Sequence, residues 1–167
     1  MIAHTFFVLA AAVDPCAVPD AEVRRQHALP YVRFDTGESE YAWRSLNGKG
    51  CADAAVRLLG SYASAASGLT LPQRSEIAFH QGQALAFAGR DQEFAAYFTK
   101  ARQLGTGDEW TTYIDATLAF LRKDQAALQS TRDRYARLAG DSMRLLVIDG
   151  FIACPTAPYA KAVHCKM

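Results

Sequence analysis

Three places in the chain bring together residue types that could do chemistry. Glu76, His80 and Gln83 stand four and three residues apart in "SEIAFHQGQALAF", so on a helix they share one face. A carboxylate beside an imidazole can work as an acid–base pair, and the same strip can grip a polar ligand. A solvated helix face carries the same pattern. Asp149 interrupts the apolar run "LLVIDGFIA", where a carboxylate either pairs with or caps a neighbouring helix or serves as a buried acid. His164 next to Cys165 would make a nucleophilic dyad only if Cys165 were a free thiol. "GKGC" at 48–51 has the glycines of a phosphate loop, but no strand precedes it and the spacing is wrong, so it reads as a turn between helices. The chain has no G-x-S-x-G elbow, H-E-x-x-H pair or Walker loop. The expectation is a protein without catalytic residues, cofactor or metal.

The four cysteines, Cys16, Cys51, Cys154 and Cys165, form an even set with three possible pairings. Pairing nearest neighbours, Cys16 with Cys51 and Cys154 with Cys165, ties each irregular end of the chain to something firmer. No C-x-x-C is present, and Cys154, His164 and Cys165 lack familiar zinc spacing. Disulfides are expected, which places the chain outside the cytoplasm.

The segment "TFFVLAAAV", residues 5–13, has the length of a secretory apolar region, with Ala10 and Ala12 at cleavage spacing. No basic region precedes it. It reads as a shortened signal peptide or as an N-terminal segment packed on the body, and it is too short to span a membrane. Pro15 argues against a lipid on Cys16. The 167 residues suit one domain, half of them hydrophobic, with 18 basic against 17 acidic side chains. A net charge of +1 with no basic run excludes a nucleic-acid-binding stripe.

The elements that would position these residues repeat. "ALAFAGRDQEF" at 84–94 returns as "TLAFLRKDQAA" at 117–127. Within 75–108, Ile77, Ala78, Gln81, Leu85 and Ala88 recur at helical spacing, Gly89 ends the helix, and Asp91 can cap the next. Phe94, Phe98, Ala101 and Leu104 then make a second stripe, and "GTGD" closes the unit and caps the following one. The next copy places Trp110, Tyr113, Ile114, Thr117, Leu118 and Leu121 on one face, then Leu128, Thr131, Tyr135 and Leu138 on another. A looser copy precedes them, "YAWRSL", "NGKG" and "CADAAVRLLGSYASAA", burying Ala55, Leu59 and Tyr62; "SMRLLVIDGFIA" follows and stops at Pro155 and Pro158. A period near 34 residues marks stacked helical hairpins that cannot bury their apolar faces alone. The organisation expected is an apolar leader over 1–15, an irregular N-terminal arm over 16–38, and helical repeats with a C-terminal cap over 39–167.

Residues 75–108 resemble a tetratricopeptide repeat. Gly82 matches its small contact residue, Gly89 its turn glycine, Phe98 its second-helix aromatic, and Ala101 and Leu104 its late small and apolar positions. Departures are Ala78 and Gln81 for the early Trp-x-x-Leu, Phe94 for alanine and Thr106 for the closing proline. In the second copy Ala116 and Lys123 stand in the glycine positions. The wider pattern also resembles a bacterial exported family of unassigned role. The resemblance implies an all-α fold, a short right-handed array of antiparallel hairpins, whose first helices line a groove for a peptide or partner segment. On that basis Glu76, Phe79, His80, Gln83, Phe87 and Tyr113 are the expected partner-binding residues, with Trp110 and Phe120 filling the core between repeats. The function expected is a monomeric, periplasmic or secreted bacterial scaffold that binds another protein, without nucleic acid or membrane insertion. A self-assembling repeat protein is the alternative, and an enzyme built on His80, Asp149 or His164 a more distant one.

Overall fold

The computed structural model describes residues 14–167, which form ten α-helices and, among the described residues, no strand. The apolar stretch 5–13 lies outside the described residues. No helix among the described residues is long and apolar enough to cross a membrane.

Residues 16–38 are not irregular. They hold α1 (Asp20–His27) and α2 (Tyr31–Asp35), each entered directly from a proline, Pro19 and Pro30. The locked φ of proline suits entry to a helix, so these prolines start elements within a stretch expected to be irregular. Phe34 of α2 is buried, stacking on Tyr62 at 3.6 Å between centroids, and the Tyr62 hydroxyl donates to the Leu29 carbonyl. The arm is thus part of the core.

From α3 onward the chain runs in hairpins. Helices α3 (Trp43–Gly48) and α4 (Ala52–Ala65), α5 (Leu71–Phe87) and α6 (Asp91–Leu104), and α7 (Asp108–Leu121) and α8 (Gln125–Ala139) are each joined by three residues. So short a link sends the second helix back along the first. All three turns share one hydrogen-bond pattern, with a left-handed residue after the helix and an amide bond reaching five residues back to close it. At Gly50 (φ 81°) the Cys51 amide donates to Leu46, at Gly89 (φ 72°) Arg90 donates to Leu85, and at Lys123 (φ 58°) Asp124 donates to Ala119. The repeated words of the sequence encode this turn. "GKGC" is one of its copies, and nothing in it surrounds a phosphate.

Caps follow their residue types with two corrections. Asp124 caps α8 through the Ala127 amide at 2.9 Å, and Thr70 forms a reciprocal capping box with Gln73. Arg90, not Asp91, holds the N-cap position of α6, because the turn's closing bond already uses the Arg90 amide. Gly107 precedes α7 at φ 85°, which leaves Asp108 inside the first turn, where its charge favours the exposed amides.

Two apolar clusters share α5. Ile77 and Ala84 face Trp43, Leu46, Leu59 and Tyr62; Ala78, Phe79, Leu85 and Ala86 face α6, α7 and the C-terminal elements. Gly82 lets α6 approach, since a Cβ there would lie 2.9 Å from the Phe98 ring. Buried Ser75 joins three helices, donating to the Ala101 carbonyl at 2.6 Å and accepting from the Trp110 indole at 2.7 Å. Leu138, expected in the buried stripe of α8, is 46% exposed because α9 (Met143–Ala153) packs beside α7 and α8 without covering it.

The chain then turns at Pro155 and Pro158 into α10 (Tyr159–Ala162), which returns against α9 and α5. Gly150 permits this, because any Cβ there would collide with the Ala162 carbonyl oxygen. Cys154–Cys165 closes this segment and Cys16–Cys51 closes the arm, with S–S distances of 2.08 and 2.04 Å. Loops of 11 and 35 residues correspond to about 3 and 4 kcal/mol of chain entropy.

Lys123→Gly should raise stability by about 0.5–1 kcal/mol, by relieving a left-handed lysine, whereas Gly150→Ala should lower it by about 1–3 kcal/mol. Urea unfolding midpoints of the oxidised variants measure both.

Candidate functional site

The strip Glu76, His80, Gln83 and Phe87 runs along α5 as its spacing requires, but it is not an open surface. Each side chain is met by another segment of the same molecule. Tyr31, at the start of α2, donates to Glu76 Oε2 at 2.7 Å. His80 Nε2 lies 3.2 Å from Asp35 Oδ1 at the end of α2, while its ring stacks on Trp43 of α3 at 4.6 Å. Gln83 Oε1 lies 2.9 Å from His80 Nδ1, and its amide nitrogen donates to the Tyr159 hydroxyl of α10 at 3.2 Å. Phe87 makes an edge contact with the Tyr159 ring at 5.7 Å. The arm therefore covers the first half of the strip, and the C-terminal segment covers the second.

Asp35 is the electrostatic centre of the first half. Arg44 reaches both its carboxylate, at 3.0 Å, and its main-chain carbonyl, at 2.8 Å, while the guanidinium lies 4.2 Å over Trp43. Burial pushes the Asp35 carboxyl up, but the His80 ring hydrogen and the His80 and Arg44 charges together outweigh it and hold the carboxyl below its ordinary value. Tyr31 is shifted well upward, by burial and then by its bond to Glu76. The Trp43 indole N–H is buried and has no hydrogen-bond partner among the described residues.

Tyr159 is the centre of the second half. It is 2% exposed and lies among Phe87, Phe94, Phe98 and Phe151, with centroids 5.7 to 6.3 Å away. Burial lifts its hydroxyl to about 12. Burial drives the Tyr113 hydroxyl far above its usual value as well.

Two of the residues expected to contact a partner are core residues. Phe79 is 2% exposed, wedged between Phe98, Trp110 and Tyr113, and Tyr113 is 5% exposed. Phe79 lies off the stripe read from Ile77, Gln81 and Leu85, but α5 is enclosed by neighbours on more than one side and leaves it no solvent; Tyr113 lies on the apolar face of α7 and packs against Phe79 and Tyr135. Phe87, 41% exposed, keeps an open edge. Phe120 is buried as expected, and Trp110 is half-buried beneath the Arg144 guanidinium.

The remaining chemical candidates separate. Asp149 pairs with Arg132 of α8, Oδ1 to Nε at 2.8 Å, so it joins two helices. Cys165 is bonded to Cys154, which removes the dyad with His164. Among the described residues no three His, Cys, Asp or Glu side chains converge as metal ligands. Tyr31, Asp35, Trp43, Arg44 and Tyr159 complete the site and went unread in the sequence. Only Tyr159 carried a local signal, as the aromatic of "PYAKAV" spaced with Ala162 and Val163 on one face.

No family profile, curated protein or solved structure matches the chain.

The Asp35 contacts have a defined acid limit. A carboxyl held below its unfolded value contributes stability that is present above about pH 4 and lost as pH falls through its folded value. Asp35→Asn should cost about 1.5–3 kcal/mol at pH 7. The difference between variant and wild type should shrink at pH 2–3, as urea titrations at the two pH values will show.

Proposed function

We propose that this chain is a non-enzymatic binding and scaffold module of the bacterial cell envelope, periplasmic or secreted. In this reading it is a short right-handed array of tetratricopeptide-like hairpins. The array holds a peptide or protein segment on the face formed by the first helices of its hairpins. The observation that carries the reading is the seat of Tyr159. The molecule already holds one short segment, residues 155–163, against α5 and α9 by an aromatic anchor buried among phenylalanines, with its hydroxyl on Gln83. A face that grips this segment has the chemistry to grip another like it, with a tyrosine set next to proline.

The two disulfides support an oxidising compartment. The C-terminal segment is then a competitor for the partner's place, and Phe87 is the anchor left partly open beside it.

Installing a photo-crosslinking phenylalanine analogue at Phe87 in the source cells tests this reading. A discrete adduct is expected, with a yield that falls when an oxidised peptide of residues 154–167 is added in excess. Folded protein that gives no adduct would count decisively against it.

One observation favours self-assembly as a second reading. Leu138, Met143 and Leu146 stand 46%, 64% and 39% exposed at the α8–α9 end, where a terminal repeat is ordinarily polar. Light scattering should then show a mass that rises with concentration in wild type and falls to monomer in Met143→Asp. A strict monomer at all concentrations removes this reading.

A further inference from the structure

The hydrogen bonds from the arm to the C-terminal segment run through one imidazole, and their direction depends on its proton count. His80 Nε2 faces the Asp35 carboxylate at 3.2 Å and Nδ1 faces Gln83 Oε1 at 2.9 Å. Both are acceptors, so both ring nitrogens must carry hydrogen, which is the imidazolium form. In that form the Gln83 amide nitrogen points to Tyr159 and the Tyr159 oxygen accepts. Among the described residues the buried Tyr159 hydroxyl donates to no acceptor, so with Gln83 donating to it, its own hydrogen is left without one. Such a group costs more than an ordinary hydrogen bond contributes.

Neutral His80 reverses the order. Its one hydrogen stays on Nε2, toward the carboxylate, and Nδ1 becomes an acceptor. The Gln83 amide then turns over, donates to Nδ1 and offers its oxygen to Tyr159. Tyr159 donates to Gln83, Gln83 to His80 and His80 to Asp35, and every hydrogen along this path has a place.

We propose that His80, acting through Gln83, is a pH-dependent latch on the C-terminal segment, holding Tyr159 firmly when neutral and loosening it when protonated, while protonation draws the arm in through Asp35. The groups facing the imidazole are Asp35 from α2, backed by Arg44 and Trp43 from α3, and on α5 Glu76, itself bonded to Tyr31. Gln83 leads to Tyr159 of α10 and Tyr113 of α7, with Arg144 beyond. The latch regulates the face on which the binding reading rests. Protonation frees the segment that competes with a partner there.

The test needs no partner. Hydrogen exchange of the backbone amides of residues 159–165, corrected for intrinsic rate, is measured at pH 8 and pH 5 on the oxidised protein. Protection is expected to fall about tenfold at the lower pH. The ¹⁵N signals of the His80 ring and the Gln83 side-chain amide should titrate with the same midpoint as this loss. In Gln83→Met the ring should still titrate while protection of the segment stays level. Equal protection at both pH values, unequal midpoints in wild type, or an undiminished pH dependence in Gln83→Met would each overturn the latch. Because these readouts are internal to the chain, such a failure leaves the crosslinking result standing, and an absent adduct leaves the latch standing.

Discussion

Helix α5 is enclosed by the rest of the molecule, and the remainder of the structure depends on how it is enclosed. One side takes Trp43, Leu59 and Tyr62, another takes Phe98 and Trp110, and the strip between them is closed by Tyr31, Asp35 and Tyr159. A helix covered on most sides is an internal element, and its buried polar groups need partners. They are matched accordingly: Ser75 serves α6 and α7, and Gln81 donates to the Val56 carbonyl of α4 at 3.1 Å. Close packing at Gly82 fixes how near α6 can lie, and that spacing decides where Phe98 meets Phe79 and Tyr159.

The same enclosure explains which parts of the sequence could be read. Turn chemistry is local, so the shared turn was legible through Gly89, Lys123 and Asp124, and the stripes of α5 to α8 followed from helical spacing. Ile77, Gln81, Phe98, Ile114 and Leu128 are buried where periodicity places them. The nearest-neighbour cysteine pairs were legible for a related reason, since each closes a loop within one end of the chain. Phe79 was misplaced because a two-sided amphipathic pattern assumes one wet face, and α5 lacks it; Tyr113 was misplaced although it stands on the apolar stripe of α7, which is buried against α5. The contacts of Asp35 with His80 and of Tyr159 with Gln83 join positions 45 and 76 apart, and no periodicity reports such distances.

The strip on α5 carries the polar side chains expected of a ligand surface, and its ligands here are the two ends of the chain itself. The arm arrives with charge, through Asp35 and Arg44 over Trp43; the C-terminal segment arrives with an aromatic and a hydroxyl. Intramolecular contacts like these form at high effective concentration, so under the proposed binding function a competing partner must offer more than one matched side chain, and exposed Phe87 is where that competition would begin.

The two covalent cross-links enclose separate, non-overlapping stretches, 16–51 and 154–165, and every residue of α5 to α8 lies between them. On a chain emerging from its N-terminus, the first closure involves nothing beyond residue 51, so it can be completed before α5 to α8 are present. The second joins residues that emerge last. With no interlaced loops, neither bond has to wait for or pass through the other, and oxidation imposes no knot on the order in which the helices assemble.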